Sequence, residues 1–206
     1  MSAAEEVAAA LVSFEQAMVA HGHPAAGLLR PGADPEALRA KAAAAGVVLP
    51  DAAVAVWAWH DGVDKSGPEL PSAAWFLPGG SWLLDFDSAV DDHDNARANF
   101  PVTDRDDWSP EWFPLASLGS ATYWLVCSGP RDGHTPVQLA HTWEYNPPAA
   151  LAAQRVSSVP EALAVWAAVL DSGLWGVDAT LNQYIWLAEP VPGALPRAFL
   201  GLDPPS

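Results

Sequence analysis

Cys127 is the only cysteine in the chain, and a single thiol cannot support a disulfide framework. Cationic side chains are also scarce: nine Lys and Arg stand against 25 Asp and Glu, for a formal charge of −16. That balance argues against nucleic acid and anionic membranes as partners, because both require clustered positive charge. No apolar run approaches the roughly 18 residues that cross a bilayer. Glu5 and Glu6 stand where a secretory leader would carry Lys or Arg. No serine lies in a nucleophile-elbow sequence, and no glycine pattern matches a phosphate loop or a dinucleotide fingerprint. These absences predict a cytoplasmic, soluble protein without visible enzyme chemistry and without a cofactor. A positively charged protein is the natural complement.

What the chain does have is apolar mass. Half of its 206 residues are hydrophobic and eleven are tryptophan, so a sizeable folded core is expected. In residues 4–20, Val7, Leu11, Phe14 and Met18 recur at spacings of four, three and four, which predicts one amphipathic helix. Asp34-Pro35-Glu36 combines a capping carboxylate, a proline suited to a first turn and an acidic residue near the dipole. It predicts a second helix to about Ala45, closed by Gly46. Trp82–Phe86 is a candidate strand, with Asp87 or Ser88 capping a helix over residues 89–99. Residues 111–142 read as antiparallel strands with short connections: 112–115, 121–127 and 136–142. Ser158-Val159-Pro160-Glu161 has capping-box spacing. It opens a helix whose core stripe is Val159, Leu163, Trp166 and Leu170, ended by Gly173. Residues 179–188 are ambiguous between helix and strand, and the tail beyond them is rich in proline.

The organising stretch is residues 49–62, LPDAAVAVWAWHDG. Pro50 suits a first turn, Asp51 offers a carboxylate to its N–H groups, and Gly62 can take positive φ and end the helix. Val54, Val56, Trp57, Trp59 and the alanines leave almost no polar face, which predicts burial on most sides. Leu-Pro, a short apolar helix, then a polar residue and glycine resembles the signature helix of the SUKH superfamily, the Smi/Knr-type domains. Trp112-Phe113-Pro114-Leu115, the strand-like 121–128 and Val156-Ser157-Ser158 before a last helix follow in the family's order, and the set spans residues 34–175. Asp61, where the family usually has Asn, and Lys41-Ala42, where it often has Glu, mark a divergent bacterial member.

The resemblance implies an α+β fold, a small, mostly antiparallel sheet flanked by helices. It divides the chain into a helical extension over residues 1–33, the domain proper over 34–178 and a Pro-rich extension over 179–206. It also implies a protein-binding role without catalysis. Bacterial members are chiefly immunity proteins that neutralise a cognate toxin, and others are regulatory scaffolds for an endogenous cytoplasmic protein.

The conspicuous chemistry is acidic: Asp85, Asp87, Asp91, Asp92 and Asp94, with Asp104, Asp106, Asp107 and Trp108 close in sequence. As a calcium loop this cluster lacks the glycine at the sixth position and the closing Glu. Asp85 and Asp87 would share one face of a strand, the pairing of a glycosidase, although any Asp-rich loop yields such pairs. A solvated face is the ordinary explanation of a charge run. The sharper one is a surface that steers and pairs with a cationic partner, a cognate toxin or another basic protein. Among the six histidines no spacing suits zinc, and His60 is expected to cap the carbonyls of its helix. Trp57, Trp59, Trp124 and Trp166 are expected in the core, whereas Trp75, Trp82, Trp108, Trp143 and Trp186 are candidates for a sugar platform or interface anchors.

Overall fold

Ser2 starts the chain's first helix, α1 (Ala3–Ala20), with a complete capping box: its hydroxyl accepts from Glu5 N, and the Glu5 carboxylate accepts from Ser2 N. Val7, Leu11, Phe14 and Met18 are all at most 2% exposed, so the apolar stripe is buried in full. The computed structural model describes residues 1–66, 81–99, 112–117, 123–127, 138–142, 157–178 and 183–186. Among them are four more α-helices: α2 (Pro35–Ala44), α3 (Asp51–Trp59), α4 (Phe86–Asn99) and α5 (Val159–Asp171). α1 packs against both α3 and α5, and Phe14 meets Trp166 at 6.2 Å between ring centroids. Residues 1–33 thus contribute side chains to the same core as residues 34–178.

The strands form a five-stranded antiparallel sheet in sequence order: β1 (Trp82–Leu83), β2 (Trp112–Ser117), β3 (Tyr123–Cys127), β4 (Gln138–Thr142) and β5 (Ser157–Ser158). β2, β3 and β4 follow one another closely in sequence, which suits antiparallel neighbours, whereas α4 intervenes between β1 and β2. The β2–β3 register slips between Pro114 and Ala116, as expected where a proline inside a paired strand lacks an N–H to donate. A separate hairpin pairs β6 (Trp175–Asp178) with β7 (Gln183–Trp186), so the ambiguous residues include a strand, and the pairing spans the expected boundary at 178/179. The architecture is α+β, with helices packed beside antiparallel sheet. Residues 74–77, whose sequence suits a short strand, and residues 100–109, whose polar, turn-rich sequence suits a loop, lie outside the described residues.

α3 is buried as its composition requires, with Ala52, Ala53, Val54, Val56 and Trp57 inaccessible and Trp59 partly covered. Its two ends depart from expectation. Pro50 occupies the N-cap without a side-chain hydrogen bond, and the Asp51 carboxylate accepts from the Arg39 guanidinium at 2.7 Å rather than capping the helix. At the other end the helix stops at Trp59, and residues 28–33 run along its exit as a strap. Ala33 N donates to Trp57 O, Arg30 N to Gly62 O and Asp64 N to Leu28 O. His60 bonds the Arg30 carbonyl through Nδ1 rather than the helix's own carbonyls. The strap lies so close that a Cβ on Gly32 would sit 2.0 Å from Ala58 O.

Gly62 does have positive φ, +80°, but its second service is tertiary: a Cβ there would meet Asp85 N at 2.5 Å. Gly62 therefore lets the chain after α3 touch the start of α4.

Candidate functional site

The acidic stretch is built on α4, whose start differs from the expected one. Asp85, not Asp87 or Ser88, is the cap: its carboxylate accepts from Ser88 N at 2.8 Å and from the Ser88 hydroxyl at 2.9 Å. The neighbouring Asp61 carboxylate accepts from Phe86 N at 2.7 Å. The strand is only Trp82–Leu83, so Asp85 and Asp87 do not share a strand face, and the paired-carboxylate reading loses its geometric basis.

α4 has two faces. Phe86, Ala89, His93 and Ala96 recur at spacings of three, four and three and are buried. Phe86 and Phe113 of β2 flank the Trp57 indole at 5.2 and 5.5 Å, both nearly edge-on. Trp57 Nε1 donates to Leu84 O, which satisfies the one polar atom of that ring. Asp87, Asp91 and Asp94 recur at spacings of four and three on the exposed side. The packing of one face thus fixes three carboxylates in a solvent-facing row.

Their partners are few among the described residues. Lys41 of α2 meets Asp87 at 2.6 Å, and that hydrogen bond raises the lysine's pKa. His93 Nδ1 lies 3.4 Å from Asp94. Asp92 is half-buried, and desolvation raises its pKa, with Lys65 pulling the other way. Desolvation in turn lowers the Lys65 pKa; its ammonium sits 4.9 Å from the Trp82 ring, within cation–π range. Asp85, beneath the row, is 3.7 Å from the Arg30 guanidinium.

The structure therefore brings Asp85, Asp87, Asp91, Asp92 and Asp94 onto one helix and its cap, and exposes Asp87, Asp91 and Asp94. Asp104, Asp106, Asp107 and Trp108 lie outside the described residues. Lys65, over the Trp82 ring, faces Asp85 and Asp92, and the Lys65–Trp82 pairing is one that sequence does not announce because 17 positions separate them. Arg30 and Lys41 are likewise brought in by the strap and by α2.

Among the described residues, no group of three or more His, Cys, Asp or Glu side chains is arranged to hold a metal ion. His23 is buried: its Nδ1 accepts from Ala25 N and caps a short 3₁₀ turn, Pro24–Leu28. Burial lowers its pKa to about 4. No described helix is long and apolar enough to cross a membrane. No protein-family model matches the chain, and no curated protein matches it.

Proposed function

We propose that this chain is a non-catalytic, SUKH-like protein-binding domain, an immunity protein that binds and neutralises a cognate bacterial toxin of basic character. The observation that supports the reading is the exposed Asp87, Asp91 and Asp94 row on a helix whose other face is locked into the core. A rigid row of like charge on a strongly acidic protein accelerates encounter with a cationic surface and can pair with its Arg and Lys side chains. Toxins that degrade nucleic acid are often basic for the reason given by their own substrate.

The test uses any toxin domain encoded beside this chain's gene, whose presence itself favours the reading. Co-expression should restore growth of cells making that domain. Replacing Asp87, Asp91 and Asp94 together with Asn should slow association about tenfold at low salt and flatten its salt dependence. Growth rescue with unchanged association kinetics would move the contact elsewhere on the protein. Absence of any binding to the toxin domain would leave the other role of this fold, a scaffold for an endogenous cytoplasmic protein.

A further inference from the structure

Three elements meet at the C-terminal end of α3, and the His60 ring lies between oxygens of two of them. Its Nδ1 bonds the Arg30 carbonyl of the strap, and its Nε2 lies 3.5 Å from Glu15 Oε2 on α1. The same Glu15 oxygen accepts from Trp59 Nε1 at 2.9 Å, and the Trp59 and His60 rings meet at 4.4 Å between centroids. Neither the His60 nor the Glu15 side chain is more than a third exposed, so their attraction is screened less than that of a fully exposed pair.

The chemistry of the ring decides what this arrangement does. A carbonyl and a carboxylate only accept, and a neutral imidazole carries a single N–H. With that hydrogen on Nδ1, the Nε2 lone pair faces the Glu15 carboxylate. With it on Nε2, the Nδ1 lone pair faces the Arg30 carbonyl. The closer contact at Nδ1 selects the first form for the neutral ring. Only the imidazolium, a donor at both nitrogens, suits both oxygens. The other charged groups on the segments packed here are committed elsewhere. The Arg30 guanidinium lies 3.7 Å from Asp85, Asp61 accepts from Phe86 N at 2.7 Å, and Asp64 accepts from Ser66 N at 2.8 Å. Among the described residues, Glu15 is the carboxylate paired with this ring.

The strap itself is held to the exit of α3 by main-chain bonds. The longest of them, Asp61 N to Pro31 O at 3.3 Å, adjoins His60. We propose that His60 is a proton-operated latch: protonation ties the strap and α1 together across the exit of α3, and loss of the proton loosens the strap beside Arg30 and Pro31. The tie to Glu15 exists only in the folded chain, so it strengthens the strap in acid and is withdrawn as the ring becomes neutral. Asp61 and Gly62 follow directly and hold the start of α4, so the latch bears on the seat of the acidic helix. It stands independently of the toxin reading.

The test is amide hydrogen exchange on the full chain at about pH 5.5 and about pH 8, inside the range where histidine changes charge, with rates corrected for the intrinsic effect of pH. Protection at Arg30, Ala33 and Asp61 should be about threefold higher at the lower pH. Glu15→Gln should abolish that difference. The glutamine amide oxygen can still accept from Trp59 Nε1, so the variant keeps its fold. His23, whose neutral ring caps the turn before the strap, opposes the effect in both proteins alike and cancels from the comparison. An equal rise in Glu15→Gln would assign the response to another group and overturn the latch. A parent whose protection does not rise in acid would overturn it as well. Long-range nitrogen–proton spectra at about pH 8 should place the single ring proton on Nδ1. A proton on Nε2 would break the link to the strap, and the proposal with it.

Discussion

The helices α1 and α5 and the junction of α3 with α4 end their hydrogen-bonded turns by opposite means. α1 and α5 each begin with Ser-x-x-Glu, and both boxes close with reciprocal side-chain bonds inside four residues of sequence. α3 begins without a side-chain cap and exits under a strap from residues 28–33; α4 begins on Asp85 with Asp61 assisting from 25 residues away. The first pair is specified locally and the second by tertiary approach. Local specification makes a helix start robust. Tertiary specification makes it sensitive to any group that holds the segments apart.

The largest expected effect comes from that sensitivity. Gly32→Ala forces a Cβ into the Ala58 carbonyl and should destabilise the protein by about 4 kcal/mol, read by chemical denaturation. Gly27→Ala is the control, since a Cβ there meets nothing within 4 Å; it should change stability by under about 1 kcal/mol. Similar losses in both variants would break the distinction between the two regions.

The 3₁₀ turn before the strap offers the next largest effect, through pH. His23 is neutral in the fold, with its pKa lowered to about 4, and in the unfolded chain it titrates near the ordinary value of about 6.5. Between these values the unfolded state binds the extra proton, so stability falls as pH drops from about 6.5 to about 4. The loss should reach about 3 kcal/mol, and denaturation curves of the parent and His23→Gln should diverge above pH 6.5 and converge towards pH 4. Parallel curves across that range would remove the histidine from the account.

Locally specified starts should lose least. Ser158→Ala removes one hydroxyl acceptor from the first turn of α5 and should cost about 1 kcal/mol in the same measurement. A loss as large as that of Gly32→Ala would show that the α5 start, too, depends on distant contacts.

The same contrast explains how far the sequence could be read. The buried stripes of α1 and α5 follow from 3.6-residue periodicity, and every residue assigned to them is buried. The antiparallel strands after α4 follow from composition and short connections. The start of α4 did not follow. Asp85, Asp87 and Ser88 are all good caps, and the choice among them is made by Asp61 and by the close approach that Gly62 permits. Asp51 departs from expectation for a similar reason, because Arg39 competes for its carboxylate. At the acidic site the residue types were legible, but the separation of the exposed Asp87, Asp91 and Asp94 from the half-buried Asp92 depends on which face of α4 meets Phe113.

The packing of α1 against α5 also sets a timetable for synthesis. His21 and Asp171, which bond at 2.8 Å, are 150 positions apart, and Phe14 and Trp166 are separated by slightly more. At roughly 5–20 residues per second, α1 emerges from a ribosome about 8–30 s before the helix that covers its far side. α3 arrives early and can shield part of α1, but Phe14 must wait for Trp166. During that interval the nascent chain presents a partly uncovered apolar helix, which makes the first 60 residues the segment where a holdase chaperone has most to protect.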